Sequence, residues 1–229
     1  SLMDKEHADF DRVYQQVKER LTNKVVPVEI PIGAGPGFRG VINLFTRRAY
    51  LYTPGSRSGE YSETEIPEDS RGAVERYHQE LIEAISATDD AMLERYLEGV
   101  EIGRDEAIQG MKEAMKRMDL FPLFAVSAEH VIGIQAMLTE LVQLMPSAFE
   151  MEEIHAFKGA EGDHTVEIHA VDTNPFSALV FKTVSEPHVG EVSYFRVFSG
   201  TVSNGQDVYN ATRDGVEKMG HLCVAQGKE

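Results

Sequence analysis

The chain has one cysteine, no tryptophan, and far fewer basic than acidic side chains. A lone Cys223 excludes an internal disulfide and a cysteine-built zinc site, and it suits a reducing compartment. No apolar run among the 229 residues is long enough to span a bilayer, and no basic stretch leads into an apolar segment near Met3. The expected setting is therefore soluble and cytoplasmic, with no membrane partner. Ser1-Leu2 ahead of Met3 reads as a vector remnant, with the native chain cut there. Lys and Arg number 22 against 38 Asp and Glu, a formal charge of −16, with an isoelectric point near 4.9. Nucleic-acid affinity comes largely from basic side chains displacing counterions, so a broad phosphate-binding surface and a DNA partner are excluded. The charge is uneven: residues 1–59 carry 9 basic and 6 acidic side chains, whereas residues 60–106 carry 4 and 15. The length allows one large domain or two ordinary ones, and two are expected.

Glycine is present where it raises a question. Residues 35–40, Gly-Pro-Gly-Phe-Arg-Gly, match G-x-G-x-x-G. A dinucleotide site needs a strand entering the glycines and a helix leaving them, because the helix N-terminus holds the pyrophosphate. The strand is there: "VVPVEIPI" is short and β-branched, limited to an edge by Pro27 and Pro31. The helix is not, since Val41, Ile42, Leu44, Phe45, Tyr50, Leu51 and Tyr52 follow with no N-cap residue. Glycines between two strand-like runs are read as a hairpin turn.

Helical periodicity covers residues 4–22, through Phe10, Val13, Tyr14, Val17 and Leu21, and residues 70–87, through Val74, Tyr77, Leu81, Ile82 and Ile85. Two more helices are expected in "DDAMLERYLEG", capped by Asp89 or Asp90, and in "GRDEAIQGMKEAMKRMD", where Met111 and Met115 read as core filler. The polar loop "TPGSRSGEYSETEIPED" is expected to end the sheet. "FPLFAVSA" reads as a strand buried on both faces, running into a helix over "VIGIQAMLTELVQLMPS" that stops before Pro146. A buried strand followed by a long helix is half of a βαβ unit, so an α/β domain with parallel strands is expected. Beyond a boundary near residues 147–155, strands with turns at "SEPHVG" and "SNGQ" resemble a small antiparallel barrel with too few strands to close by residue 229.

Candidate sites outside these patterns are weak. His155, His164 and His169 stand near Glu152, Glu153, Asp163 and Glu167, but the spacings give no zinc-type pair, and a solvated acidic region is the better reading. No metal site is expected. Ser127 lies in no G-x-S-x-G elbow, and no carboxylate pair suggests acid–base chemistry. The acidic helices between Glu60 and Glu106 are either a solvated face or a dock for a basic partner. Asn204-Gly205 is a hairpin signal.

Taken in order, "MDKEHADFDRV", "PIGAGPGFRGVINL", "MLERYLEG", "FPLFAVSA", "LMPS" and "NPFSALVFKTVSEPHVGEVSYFRVFSGTV" resemble bacterial elongation factor G, a translational GTPase that drives translocation on the ribosome. The resemblance implies a multi-domain α/β plus all-β fold. Residues 1–24 and 119–147 would be the C-terminal part of a P-loop GTP-binding domain, residues 25–118 its inserted α+β subdomain, and residues 148–229 a partial antiparallel β-barrel. Met3-Asp4 would be the tail of the guanine-recognition motif N-K-x-D, with Ser1-Leu2 where the family has Asn and Lys. Asp4 would accept hydrogen bonds from the guanine ring N–H and exocyclic amine. Ser127-Ala128 would be the second base-contacting loop, placing backbone N–H groups near the guanine carbonyl, although Glu129 follows where the family often has lysine or leucine. The inserted helices would touch a ribosomal stalk protein and the barrel would dock on small-subunit rRNA, with Lys182, Arg196 and Arg213 as local contacts. The −7 balance of residues 148–229 fits poorly with strong RNA affinity.

No G-x-x-x-x-G-K-[ST] loop and no magnesium-ligating switch segment occurs in the chain. GTP and Mg²⁺ are thus cofactors of an intact parent GTPase, and these 229 residues are expected neither to hold nor to hydrolyse GTP with measurable strength. Two alternatives stand beside this reading: a non-enzymatic acidic module that binds a basic protein, and a ribosome-protection or release-type relative.

Overall fold

The computed structural model describes residues 1–53, 55–56, 58–151, 154–157, 165–187 and 190–224. The chain divides between Pro146 and Ser147 into two compact units.

In the first unit, helix α1 (Phe10–Arg20) begins later than its periodicity suggests. Asp9 sits in extended backbone and its carboxylate accepts the Arg12 N–H at 2.9 Å, an N-cap that sets the helix start and leaves residues 4–8 outside. The buried ring of Tyr14 packs between Phe10 and Tyr77 at centroid distances of 6.3 and 6.0 Å, tying α1 to helix α2 (Arg71–Ser86).

The run "VVPVEIPI" forms two strands rather than one, β1 (Val25–Pro27) and β2 (Glu29–Ile32), and they belong to different sheets. Val28 makes the switch: its N–H donates to the Leu123 carbonyl at 3.0 Å, while its own carbonyl accepts the Leu44 N–H at 2.9 Å. β2 heads an antiparallel sheet in sequential order with β3 (Gly40–Asn43), β4 (Arg48–Tyr52) and β5 (Tyr61–Thr64). The stretch expected to be only a polar loop thus supplies a fourth strand. Tyr61 holds it, its ring 5.0 Å from Tyr50 and 5.3 Å from Tyr52.

Helices α2, α3 (Asp90–Leu97, capped by Asp89 through the Met92 N–H) and α4 (Arg104–Lys116) follow as expected. Val74, Tyr77, Leu81, Ile85 and Met111 join Val25, Ile30, Ile42 and Leu44 in one apolar core. Strand β6 (Phe121–Leu123) pairs in parallel with β1, as a βαβ-type domain requires, but spans only three residues. Pro27 at the end of β1 offers no N–H to extend the ladder. Ala125, Val126 and Ser127 are buried without being strand. Helix α5 (Ile134–Leu144) then ends before Pro146.

The second unit contains three two-stranded antiparallel ribbons among the described residues: β7 (Ile154–Phe157) with β8 (Thr165–Ile168), β9 (Ser177–Glu186) with β10 (Gly190–Ser199), and β11 (Asp207–Asn210) with β12 (Gly215–Lys218). Register shifts interrupt the β9–β10 pairing next to Tyr194 and Val197. Asn204-Gly205 turns the chain but does not pair β10 with β11. Gly205 N–H instead reaches the Met219 carbonyl at 2.9 Å, and Asn204 Oδ1 accepts the Leu222 N–H at 2.7 Å.

Candidate functional site

The Met3–Glu6 segment and the loop of residues 125–133 lie side by side, though more than a hundred residues separate them in sequence. Met3 N–H donates to the Val126 carbonyl at 3.2 Å, and Gly35 N–H donates to the Met3 carbonyl at 2.9 Å. The first half of the glycine-rich hexamer is a short 3-10 turn (Gly35–Gly37) whose backbone bonds to the Asp4 segment, and Gly40 at its end opens β3. Gly35 adopts φ +58, which disfavours an L side chain, and a Cβ there would already touch the Lys5 carbonyl oxygen at 3.4 Å.

The second loop is closed by a reciprocal pair: Ser127 N–H to the Ile132 carbonyl at 2.9 Å, and Ile132 N–H to the Ser127 carbonyl at 3.0 Å. Ser127 is fully buried and its hydroxyl accepts the His130 N–H at 3.3 Å, while Ala128 stands exposed at the tip. Gly133 ends the loop at φ +79, where a Cβ would come within 2.6 Å of the Ala125 carbonyl oxygen. Helix α5 starts at the next residue, and the Tyr52 hydroxyl from β4 accepts the Ala136 N–H at 3.3 Å.

Asp4 projects between these segments with its side chain 8% exposed. Oδ2 lies 3.0 Å from Lys5 Nζ and 3.8 Å from His130 Nε2. Oδ1 is buried and has no hydrogen-bond partner of good geometry among the described residues. The neighbouring Ser127 hydroxyl, with help from Lys5 and against partial desolvation, holds the Asp4 carboxyl down at about 2. Lys5 also reaches Glu129 Oε2 at 2.7 Å, so one ammonium joins the two segments. That contact pulls the Glu129 carboxyl below its ordinary range and raises the Lys5 ammonium.

Asp4, Ser127 and Ala128, the three residues singled out from the sequence, are thus brought together around an ionised carboxylate. Glu129, His130 and Lys5 were not assigned roles from the sequence. Lys5 next to Asp4 and Glu129 next to Ser127-Ala128 were visible there, but only the fold pairs them. Ligand atoms of Asp4, Glu129 and His130 lie within 4.8 Å of one another, the one such trio among the described residues. Lys5 is already paired with both carboxylates of that trio, at 3.0 and 2.7 Å. Of the histidine-rich region, His169 lies 4.0 Å from Glu167, and His164, Glu152, Glu153 and Asp163 are outside the described residues.

Residues 175–229 match the family described as elongation factor G domain 2. A crystal structure of a protein from Thermus thermophilus superposes on 99% of this chain with a TM-score of 0.75 and 28% sequence identity. The match over residues 175–229 and the likeness to the Thermus protein agree with the resemblance to elongation factor G read from the sequence. The chain spans about 30% of the length of that Thermus chain. The residues matched to domain 2 fall in the second unit, and the Asp4 and Ser127 segments fall in the first.

Proposed function

We propose that the chain is part of a translational GTPase that couples GTP hydrolysis to movement on the ribosome, and that it carries the base-recognising edge of the guanine pocket. The observation that carries this reading is the convergence of Asp4 with Ser127-Ala128. Asp4 is an ionised carboxylate, and its buried Oδ1 has no hydrogen bond of good geometry among the described residues. A carboxylate in that state accepts two parallel N–H bonds from the guanine ring N–H and exocyclic amine, and it repels adenine, which presents an acceptor at the ring nitrogen. The Ser127 hydroxyl keeps Asp4 ionised, and the exposed turn at Ala128 offers backbone N–H groups for the guanine carbonyl. Asp4 is thus the specificity group, Ser127 its positioning partner, and Lys5–Glu129 the tie between the two segments.

No phosphate loop lies in the chain, so the triphosphate and Mg²⁺ would be held by residues outside it. In the second unit Lys182 and Arg196 lie over the rings of Tyr194 and Phe198 at 5.8 and 5.2 Å, a cationic and aromatic pairing suited to rRNA contact. Arg213 is instead paired with Glu217 at 3.3 Å. The acidic outer surface of α2 to α4 is proposed to meet a ribosomal stalk protein. Fluorescent guanine nucleotide titrated into the 229-residue chain and into the full-length protein tests the reading. Binding by the full-length protein alone is expected, lost on Asp4→Ala; tight binding by the 229 residues, or none by the full-length protein, contradicts it.

A further inference from the structure

Two carboxyl groups are buried where the four-stranded sheet meets α5, and base recognition uses neither. Glu29 on β2 is 0% exposed and neither of its oxygens has a hydrogen-bond partner among the described residues. Glu140 on α5 is 4% exposed; its Oε1 accepts from Asn43 Nδ2 at 2.6 Å and its Oε2 has no hydrogen-bond partner among the described residues. Asn43, fully buried on β3, sits directly across the ladder from Glu29. Its Oδ1 accepts the Phe45 and Thr46 N–H groups at 2.9 Å each, which fixes the amide so that its N–H faces Glu140.

The surroundings supply little to balance two negative charges. Glu140 and the Tyr52 phenol of β4 face Glu29; the Tyr50 phenol of β4 and Arg104, at the first position of α4, face Glu140. Burial, reinforced by Glu140, pushes the Glu29 carboxyl up to about 9. Burial also raises Glu140, opposed by Asn43 and Arg104. A buried carboxyl without donors keeps its proton.

The same seam reaches the base-contacting loop. Tyr52, which faces Glu29, also holds the Ala136 N–H in the first turn of α5. A Cβ on Gly133, the residue before α5, would lie 3.2 Å from the Val41 side chain of β3.

We propose that Glu29, Asn43 and Glu140 form a proton-held latch: with Glu29 protonated the sheet is docked on α5 and the loop of residues 127–133 is held in place. Loss of that proton puts a carboxylate without donors beside Glu140 in the seam and loosens the first turns of α5. The effect on guanine recognition rests on the reading above; the latch itself does not. Because the folded chain holds the Glu29 proton over a range in which an unfolded glutamate has lost it, stability falls as pH rises from about 5 towards about 9.

The test uses the 229-residue chain and its Glu29→Gln variant, with thermal unfolding followed across that range. The wild-type midpoint is expected to fall steadily with pH, and that of the variant, which keeps only Glu140, to fall much less. Equal slopes overturn the proposal. Carbon-13 NMR of the Glu29 carboxyl in the wild-type chain decides independently of how the variant folds: a midpoint well above 7 supports the latch, and one in the ordinary glutamate range removes it. Amide exchange at Ala136, corrected for its intrinsic pH dependence, should accelerate as Glu29 ionises. Unchanged protection there overturns the link to α5. None of these readouts involves nucleotide, so loss of the guanine reading leaves the latch standing and the reverse.

Discussion

From Ser1 to Pro146, Leu44, Leu81, Ile85 and Met111 are fully removed from water, whereas in the second unit Leu179, Phe181, Tyr209 and Val216 are 59–71% exposed. Both regions are rich in apolar strand residues. The difference lies in layering: helices α2, α4 and α5 close over strands in the first unit, while each described strand of the second pairs with one neighbour only. A two-stranded ribbon has nothing to bury its faces against and is marginal in isolation. Intrinsic stability is therefore concentrated in the unit that carries Asp4 and Ser127.

The strongest way to break this contrast is to remove the same side chain from each region. Leu81→Ala should cost about 2–5 kcal/mol in urea unfolding, as a cavity in a closed core does. Leu179→Ala should stay within about 0.5 kcal/mol. Equal losses would mean that the second unit has a core of its own. Next in size, Gly133→Ala should destabilise the first unit by about 1–3 kcal/mol, because both its positive φ and its approach to the Ala125 carbonyl oppose a side chain. Tyr14→Phe removes hydroxyl bonds to Glu80 at 2.6 Å and to the Val25 carbonyl at 3.3 Å. It should cost about 1 kcal/mol and leave the second unit's NMR spectrum unchanged.

The smallest effect is electrostatic. Asp4 is depressed from 3.8 to about 2, so its contribution is present above the ordinary value and is lost as pH falls through about 2. Ser127→Ala should move the Asp4 carbon-13 midpoint back towards 3.8, and Lys5→Ala should do so by less. A larger shift from Lys5→Ala would reverse the assignment of the Ser127 hydroxyl as the main support.

Much of this was legible in the sequence where one local signal dominates. Asp89, Pro146 and the periodic stripes of α2 and α5 place those elements nearly where they fall. The misses occur where tertiary pairing overrides local pattern. Nothing local says that Val28 divides one β-branched run between two sheets, or that Tyr61 adds a strand by stacking on Tyr50 and Tyr52. Asp9 is a capping residue, yet acidic residues crowd the stretch before Phe10 and hide which one caps. At the site, Asp4 and Ser127-Ala128 were legible through family resemblance, since no spacing rule joins residues so far apart. Glu29 reads as an ordinary polar position in an alternating strand. Only the fold shows it buried with Glu140.

Whether Asp4 reads the guanine edge is decided by Asp4→Asn in the full-length protein. An asparagine amide donates where the aspartate accepts, so it should reject guanine and favour xanthine, which carries a carbonyl in place of the exocyclic amine. Nucleotide preference is expected to move from GTP to XTP, read by competition against a fluorescent nucleotide. GTP affinity unchanged by Asp4→Asn, in a protein that still binds nucleotide, would remove Asp4 from base recognition.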